Sequence, residues 1–546
     1  NFRELESTVI LTAKHRFNDR WAMEARAGHN LNDRQNRAQG IKGTQMLDFN
    51  IIDVDNTVNQ VSAGGDLTKQ RLLGMFGELT ADYNSYLFFT LAGRNDWSST
   101  LPRANNHYFY PSASMAFVFS EALKMSDNPI LNSGKIRLNW SKVGSPASPY
   151  SLKPIYLLNL GESNGLTAGI RDIDFPFGGI ASSTLSNTLF DPNLKPEFTT
   201  DLEAGVDLEF FKSRAELNIS LFKSTSTDQI SQLALPTASG YDVLLTNFGA
   251  LQTKGAEVSL KLNPISNKSF DWNITANFTR YKTIVTELRE GTDELVIRPL
   301  FAGGITPVLR VGQPYGIFKG TVSARDEEGN LLIDRTNGQI INGINDEIIG
   351  DPNPDFTLGL VNNISWKGIS LGTVFDWKQG GDLYSETINA MLGRGVLAFQ
   401  GDREKNAVIK GVYGNPVPKD GKLEALLDES GKKIPNQTMI EVNDLWFGST
   451  FGTNGQDEWT VFDATLFRLR EVSLAYSLPA SLFKKGIKGA SVSITGRNLW
   501  YKAPYLPKDT NFDPETSTFG DSNYQGFEFQ NLPSIKRYGA SINLKF

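Results

Sequence analysis

Ser534–Phe546, SIKRYGASINLKF, closes the chain, and its reading decides how everything before it is read. The alternation predicts one strand with Tyr538, Ala540, Ile542, Leu544 and Phe546 on one face and Arg537, Gly539, Ser541, Asn543 and Lys545 on the other. Its two faces call for different solvents. A soluble sheet with one face on a core gives the same split, so what decides is whether the pattern repeats and what separates the repeats.

It repeats along the chain. Trp21, Met23, Ala25 and Ala27 oppose Arg20, Glu24 and Arg26, and Ile136, Leu138 and Trp140 oppose Lys135, Arg137, Asn139 and Ser141. Leu202, Ala204, Val206, Leu208 and Phe210 oppose Asp201, Glu203, Asp207 and Glu209, and a very short turn leads to Ala215, Leu217, Ile219 and Leu221, a hairpin pattern. Further strands are predicted over residues 256–262, 272–278, 356–366, 369–377, 467–476 and 492–500, with weaker ones near Val9, Met75, Leu87 and Met115. The total is roughly fifteen. Phe467 and Leu469 share a parity that Val472, Leu474 and Tyr476 do not, which predicts a β-bulge at Arg470 and Glu471.

The connections alternate in length. Short turns are expected near Asn18, Asn84, Lys212, Asn267, Gly368 and Lys484, and long polar loops over residues 31–69, 144–196, 288–354, 383–461 and 503–533. If every strand crosses one slab, the short turns fall on one side and the long loops on the other, as in outer-membrane barrels.

Composition narrows the classes. Among 546 residues the formal net charge is −6 and the isoelectric point about 5.4, so the basic footprint of a nucleic-acid binder is absent. With no cysteine there is no disulfide framework and no thiolate chemistry. Mean hydropathy is −0.28, and no apolar run approaches the roughly 20 residues of a membrane helix. The 50 glycines and 34 phenylalanines fit strands joined by tight turns.

Inside hydrocarbon every backbone N–H and C=O needs a partner, so crossing strands must close into a barrel. Strands of about 10 residues suffice for the span. Aromatic clusters at strand ends, Tyr108-Phe109-Tyr110, Phe210-Phe211 and Trp500-Tyr501, fit a membrane interface and also fit strand-end packing in a soluble protein. The fold expected is all-β: a transmembrane antiparallel β-barrel spanning residues 1–546, with long extracellular loops.

Several stretches resemble a known family, the SusC-like TonB-dependent transporters of the bacterial outer membrane. They are DPNLKPEFTTDLEAGVDLEFF from Asp191, TKGAEVSL from Thr253, FDWNITANFTRYKTIVTEL from Phe270, VGQPYGIFKG from Val311, IGDPNPDFTLGLVNNISWKG from Ile349, LFRLREVSLAYSLP from Leu466 and ITGRNLW from Ile494. Residues 1–190 match by pattern more than by motif. The resemblance implies a 22-stranded barrel with a plugged lumen, of which this chain supplies the C-terminal strands, so that roughly seven strands, the plug and a TonB-contacting segment are expected upstream of Asn1. It implies a SusD-like surface lipoprotein as lid, an inner-membrane TonB complex as energy source, and import of oligosaccharides or peptides. It also implies that a terminal aromatic such as Phe546 is presented to the insertion machinery.

Enzymatic signals are missing. His15, His29 and His107 are scattered, Asp53 and Asp55 start a calcium-like loop that has Val58 where glycine is required, and Asp334, Asn337, Asn345 and Asp346 miss the spacing too. No catalytic cluster, metal site or cofactor is expected. Glu203 and Asp207 share a strand face with Asp201 and Glu209, which fits a solvated lumen. Arg468 and Arg470 are expected to face the lumen with Arg537, Asn543 and Lys545, while Tyr538, Ile542, Leu544 and Phe546 face lipid; charging Leu544 then blocks assembly far more than charging Asn543. In the loop over residues 383–461, Arg394, Asn443, Asp444, Trp446, Phe447 and Trp459 suit self-packing, a partner protein or sugar stacking. Two further readings stay open: a secreted β-rich carbohydrate-binding or adhesion protein whose apolar faces meet in a sandwich core, and a passive porin.

Overall fold

The computed structural model describes residues 1–546 apart from 126, 155, 160–181, 298–303, 403, 442–443, 445–454, 480–481, 483–485, 487, 511 and 521–523. Among the described residues fifteen long strands form one meander in which neighbours in the sheet are neighbours in sequence. They are β1 Phe2–Arg16, β2 Trp21–Met46, β3 Thr57–Tyr83, β4 Leu87–Ser98, β5 His107–Phe117, β6 Leu131–Ser145, β7 Glu197–Phe210 and β8 Ala215–Ala234. The path continues through β9 Val243–Ser266, β10 Phe270–Leu288, β11 Phe356–Trp366, β12 Ile369–Gln379, β13 Leu466–Leu478, β14 Gly489–Lys502 and β15 Arg537–Lys545. A short extra strand, Thr188–Phe190, pairs in parallel with Val243–Leu245. No helix among the described residues is long and apolar enough to cross a membrane.

The chain divides into two compact units, the first holding Asn1–Val118, Ile136–Ala204 and Ser224–Leu251, the second Phe119–Lys135, Gly205–Lys223 and Gln252–Phe546. In unit one the register lines up Met23, Ala81, Phe89, Met115 and Leu138 across β2–β6 as one apolar row. The adjacent residues Glu24, Thr80, Thr90, Ser114 and Asn139 form a polar row on the opposite face. Unit two repeats this. Trp366, Ile369, Tyr476, Val492 and Ile542 run across β11–β15, next to a second apolar row of Ile364, Leu371, Leu474, Ile494 and Ala540. The polar face between them carries Ser365, Ser370, Ala475, Ser493 and Ser541.

These apolar rows are not covered. On strands flanked on both sides, Ile494 is 57% exposed, Trp366 51% and Leu474 42%, whereas Arg468 on the polar side is 4% exposed. In a sandwich the aliphatic rows would form the core, so the soluble-sheet reading fails on this inversion.

The expected phase break is present. Val374 faces Glu471 and Phe375 faces Leu469, so Arg470 is the extra residue that returns Leu469 and Phe467 to the apolar face. Short turns owe their geometry to local chemistry. Lys367 and Gly368 both have positive φ (47° and 89°), the type I′ pattern, and a Cβ on Gly368 would come within 3.0 Å of the Ser477 carbonyl oxygen. At the β1–β2 turn the Asn18 carboxamide oxygen accepts from the amides of Arg20 and Trp21, both at 2.9 Å.

Two expectations need correction. Residues 31–69 are not a loop: β2 and β3 stay paired from Trp21↔Tyr83 to Met46↔Thr57, so only residues 47–56 connect them. A hairpin projecting into water needs no apolar face to keep its ladder, and its polar composition imitates a loop. The aromatic run at residues 108–110 is split by strand alternation: Phe109 is exposed, but Tyr108 is buried with Leu101, Ala147 and Leu194, and the Tyr110 hydroxyl donates to Asp96 at 2.6 Å.

Candidate functional site

The polar face of the meander is a wall of neutral hydrogen-bonding groups crossed by ion pairs. In unit two the hydroxyls of Ser365 and Ser370 lie 3.0 Å apart, those of Ser493 and Ser541 2.7 Å, and those of Thr253 and Thr283 2.9 Å. In unit one Thr80 and Thr90 make the same contact at 3.1 Å, and Thr199 and Ser226 at 3.0 Å. Lys14 pairs with Glu24 at 2.8 Å, Arg26 with Glu78 at 3.2 Å and Arg137 with Glu203 at 3.2 Å. In unit two Lys135 meets Asp207 at 2.8 Å, so Glu203 and Asp207 of the β7 face are each engaged by a β6 cation. A face of this kind hydrogen-bonds polar solutes weakly and in many registers, because each hydroxyl both donates and accepts.

Arg468 and Arg470 anchor the most charged part of this face. Arg468 donates to Asp513 and, at 2.9 Å, to Glu515; Arg470 donates to Asp376 of β12 and to Glu515. The two arginines thus tie residues 513–515, within the long 503–533 connection, to the strand wall, and the Arg468 guanidinium also lies 5.7 Å from the Tyr501 ring centre. A guanidinium this deeply buried is tolerated only with carboxylate partners, since an unpaired buried charge costs several kcal/mol.

The long connections of unit two build their own folded layer. Thr306–Arg310, Ile317–Gly320, Glu294–Val296 and Glu347–Gly350 form a four-stranded sheet, and Asp382–Ser385 pairs with Val461–Asp463 and Phe527–Glu528. Ile305, Phe318, Tyr384 and Phe527 form its core, with Phe519, Tyr524 and Phe529 packed against them. A second cluster joins Ile388, Leu392 and Leu397 to Phe462, Leu506 and Phe512. Glu528 is fully buried and sits at the N-terminus of the helix Glu386–Gly393, where its carboxylate accepts from the Ser385 and Thr387 hydroxyls, both at 2.6 Å, and from the Thr387 amide at 3.1 Å.

Electrostatics in this layer follow burial and pairing. Burial lifts the Asp382 carboxyl above its ordinary range, the Asp351 amide donated at 2.7 Å opposes this, and the neighbouring Asp463 and Asp351 charges add to the rise. For Glu294 burial also pushes upward, but hydrogen bonds from Lys319 at 2.8 Å and Arg310 at 2.6 Å outweigh it and hold the group below its usual value.

The loop residues singled out from the sequence do not form one cluster. Arg394 is exposed at the end of the helix Glu386–Gly393, with its backbone amide donating to Ala390 at 3.0 Å. Trp459 lies in the turn Asp457–Thr460, and its indole N–H donates to Ser323 at 2.9 Å. Asp444 is exposed, and Asn443, Trp446 and Phe447 lie outside the described residues. On β15, Tyr538, Ile542 and Leu544 share the apolar face, Phe546 follows the strand and is exposed, and Arg537, Asn543 and Lys545 stand opposite Arg497, Ser491 and Gly489. Asp334 accepts from Thr336 at 2.8 Å and Asn337 from Gln339 at 2.9 Å, both inside turns, and Asp53 accepts from the Asp55 amide at 2.9 Å. His15, His29 and His107 lie on three different strands, and among the described residues no group of three or more His, Asp or Glu could hold a metal.

Asp376, Asp513, Glu515 and Glu528 are the residues that sequence reasoning missed. Asp513 stands 45 positions from Arg468 and Glu515 45 from Arg470, in a stretch with no periodicity. Only the unusual pairing of Arg468 and Arg470 on one strand hinted that acids had to lie near.

An antiparallel meander with uncovered apolar rows, a hydrogen-bonding opposite face and folded loops defines the class: the wall of a membrane-spanning β-barrel. The chain belongs to the TonB-dependent receptor-like β-barrel family, whose model matches residues 6–499, and its place is the bacterial outer membrane. It is 26% identical over 508 residues to TonB-dependent receptor P3 of Formosa agariphila, covering 88% of this chain and 46% of that protein. To TonB-dependent receptor SusC of Bacteroides thetaiotaomicron it is 24% identical over 477 residues, covering 84% and 42%. The chain therefore spans about half the length of the curated relatives it matches. Among solved structures, the RagAB peptide transporter superposes over 100% of this chain and 56% of its own, with TM-score 0.71 at 18% identity, a likeness of fold.

Proposed function

We propose that this chain forms the barrel wall of a TonB-dependent importer that carries large polar nutrients, oligosaccharides foremost, across the outer membrane beneath a SusD-like lipoprotein lid. The inversion of polarity carries the reading: exposed apolar rows suit lipid, and a wall of paired serines, threonines and asparagines suits a wide aqueous lumen. On this reading Tyr538, Ile542, Leu544 and Phe546 face lipid, and Arg468, Arg470, Arg537, Asn543 and Lys545 face the lumen. Neutral hydroxyls and amides favour glycans, since they match sugar hydroxyls and hold none of them tightly.

The proposed role is transport, in keeping with a family of receptors and transporters, and the polar face supplies groups suited to binding. Energy comes from the TonB complex acting through segments of the whole protein beyond this barrel wall. Peptides are the second substrate class, favoured by the fold likeness to the RagAB peptide transporter. The test is uptake by cells carrying the full-length transporter, fed with labelled oligosaccharides or labelled peptides of matched size. Import of oligosaccharide that stops on loss of TonB supports the first reading, import of peptide alone moves the assignment to the second, and uptake independent of TonB overturns both.

A further inference from the structure

Partway along β1–β3 the outward face changes its chemistry. On the side that carries Met23 and Ala81, the aligned residues run from Trp21 and Tyr83 up to Ser7, Leu31 and Leu73. Leu11, Val9, Leu79 and Met75 stand exposed between these ends. From Trp21 to Leu31 the strand rises about 23 Å, at roughly 3.3 Å per residue and a tilt of about 45°, close to the ~25 Å apolar band of an outer-membrane barrel. The apolar rows stop where the hydrocarbon stops.

The next levels on the same face align Leu5, Asp33 and Arg71, then Arg3, Gln35 and Lys69, then Arg37 and Leu67. Arg71 donates through Nε to Asp33 at 2.8 Å. The side chains of Arg3, Arg37 and Lys69 are exposed and form no ion pair among the described residues. The acids of these levels turn the other way. Glu4 accepts from Asn32 and Arg34, both at 2.7 Å, and Glu6 accepts from Asn30 at 2.8 Å, all on the polar face. Charge is thus sorted by face, with cations on the side of the apolar rows and directly above them. The long connections of such a barrel lie outside the cell, so this level belongs to the outer leaflet.

We propose that this face of β1–β3 binds a phosphorylated saccharolipid of the outer leaflet, with its phosphates at Arg3, Lys69 and Arg37 and its acyl chains along Val9, Leu31 and Met75. The inference rests on the lipid-facing side assigned above and is independent of the cargo. A guanidinium takes a phosphate through two parallel N–H donors and an ammonium takes it as a point charge, while the stems of both lie along apolar surface. A soluble polyanion would leave the apolar rows unused, and a neutral glycan would leave the cations unused. Height selects the kind of head. Arg71 stands about 5 Å above the band, Arg3 and Lys69 about 9 Å and Arg37 about 14 Å. A glycerophospholipid head occupies only roughly 5–8 Å there, so cations spread this far suit a taller head that carries its anions on a saccharide.

The experiment uses the full-length transporter in phosphatidylcholine liposomes that contain lipid A, lipid A stripped of its phosphates, phosphatidylglycerol or no further lipid. The wild type is expected to keep its heat-modifiable migration to a higher temperature with lipid A than in the other three. The triple substitution Arg3→Gln, Arg37→Gln and Lys69→Gln is expected to bind lipid A about a hundredfold more weakly, about fivefold for each cation removed, and to match the wild type in phosphatidylcholine alone. Arg34→Gln, on the polar face, is expected to keep the wild-type affinity for lipid A. An equal gain from dephosphorylated lipid A, from phosphatidylglycerol or from inorganic phosphate added to phosphatidylcholine liposomes overturns the proposal, as does wild-type affinity in the triple variant. Failure of the wild type to insert into any of the liposomes overturns the lipid-facing assignment and the proposal with it, a result distinct from a wall that inserts and ignores the phosphates.

Discussion

Within unit two the strand wall and the loop layer are two answers to the same composition. Ile494 and Ile542 of the wall are left open, while Phe318 and Phe527 of the loop layer are 0% and 1% exposed. Residues of equal hydrophobicity are thus sorted by the solvent each region is built for. The wall keeps its apolar rows for lipid and pairs its charges on the other side. The loop layer, standing in water, buries aromatics against each other as any small soluble domain does. What holds one region together weakens the other, and substitutions of opposite sign separate them.

The largest effects are expected where a buried group is removed. Arg468→Ala leaves Asp513 unpaired at 5% side-chain exposure and is expected to cost the 503–533 connection about 3–5 kcal/mol, seen as rapid proteolytic cleavage there while the barrel keeps its heat-modifiable migration. Phe527→Ala empties the aromatic core and is expected to cost about 3–5 kcal/mol, with the same contrast between cleaved loops and intact wall. If either change also stops the barrel from assembling, the two regions are not independent.

The reverse test places charge on the wall. Ile494→Arg is expected to cost about 2–4 kcal/mol of membrane stability and to reduce assembled barrel on urea-gradient gels, whereas Thr495→Arg on the opposite face leaves assembly near wild type. Equal effects at both positions would contradict the face assignment.

The smallest expected effect is one of pH. A carboxyl whose folded pKa is raised favours the folded state at low pH, and this stabilisation is lost as pH rises from its ordinary value of 3.8 through the raised one. Asp382→Asn should therefore make the loop layer more resistant to protease at neutral pH than the wild type and flatten its pH profile. A profile identical to wild type would mean that the Asp351 amide bond already offsets the burial.

Much of the wall was legible in the sequence because period-two alternation is a local property. The residues from Tyr538 to Leu544 announced their faces, the parity break at Leu469 and Val472 announced the bulge at Arg470, and Lys367-Gly368 announced a hairpin. Where alternation weakened, reading failed. The β2–β3 extension passed for a loop because hydrogen-bonded strands in water need no apolar face. The tyrosines at 108 and 110 passed for interface residues because the run around Phe109 does not say which member turns inward.

By itself, then, the sequence determined that this protein crosses a membrane with strands, which residues share a face, and where the short turns near Asn18, Asn84, Lys212, Asn267 and Gly368 lie, since each follows from neighbours two to four positions apart; the turn expected near Lys484 lies outside the described residues. Only the tertiary structure decided what fills the long connections: that Asp513 and Glu515 meet Arg468, and that Glu528 caps a helix more than 140 positions away. Those contacts join segments whose separation in sequence carries no period, so their pairing is settled by shape and charge once the strands have brought the chain ends of each loop together.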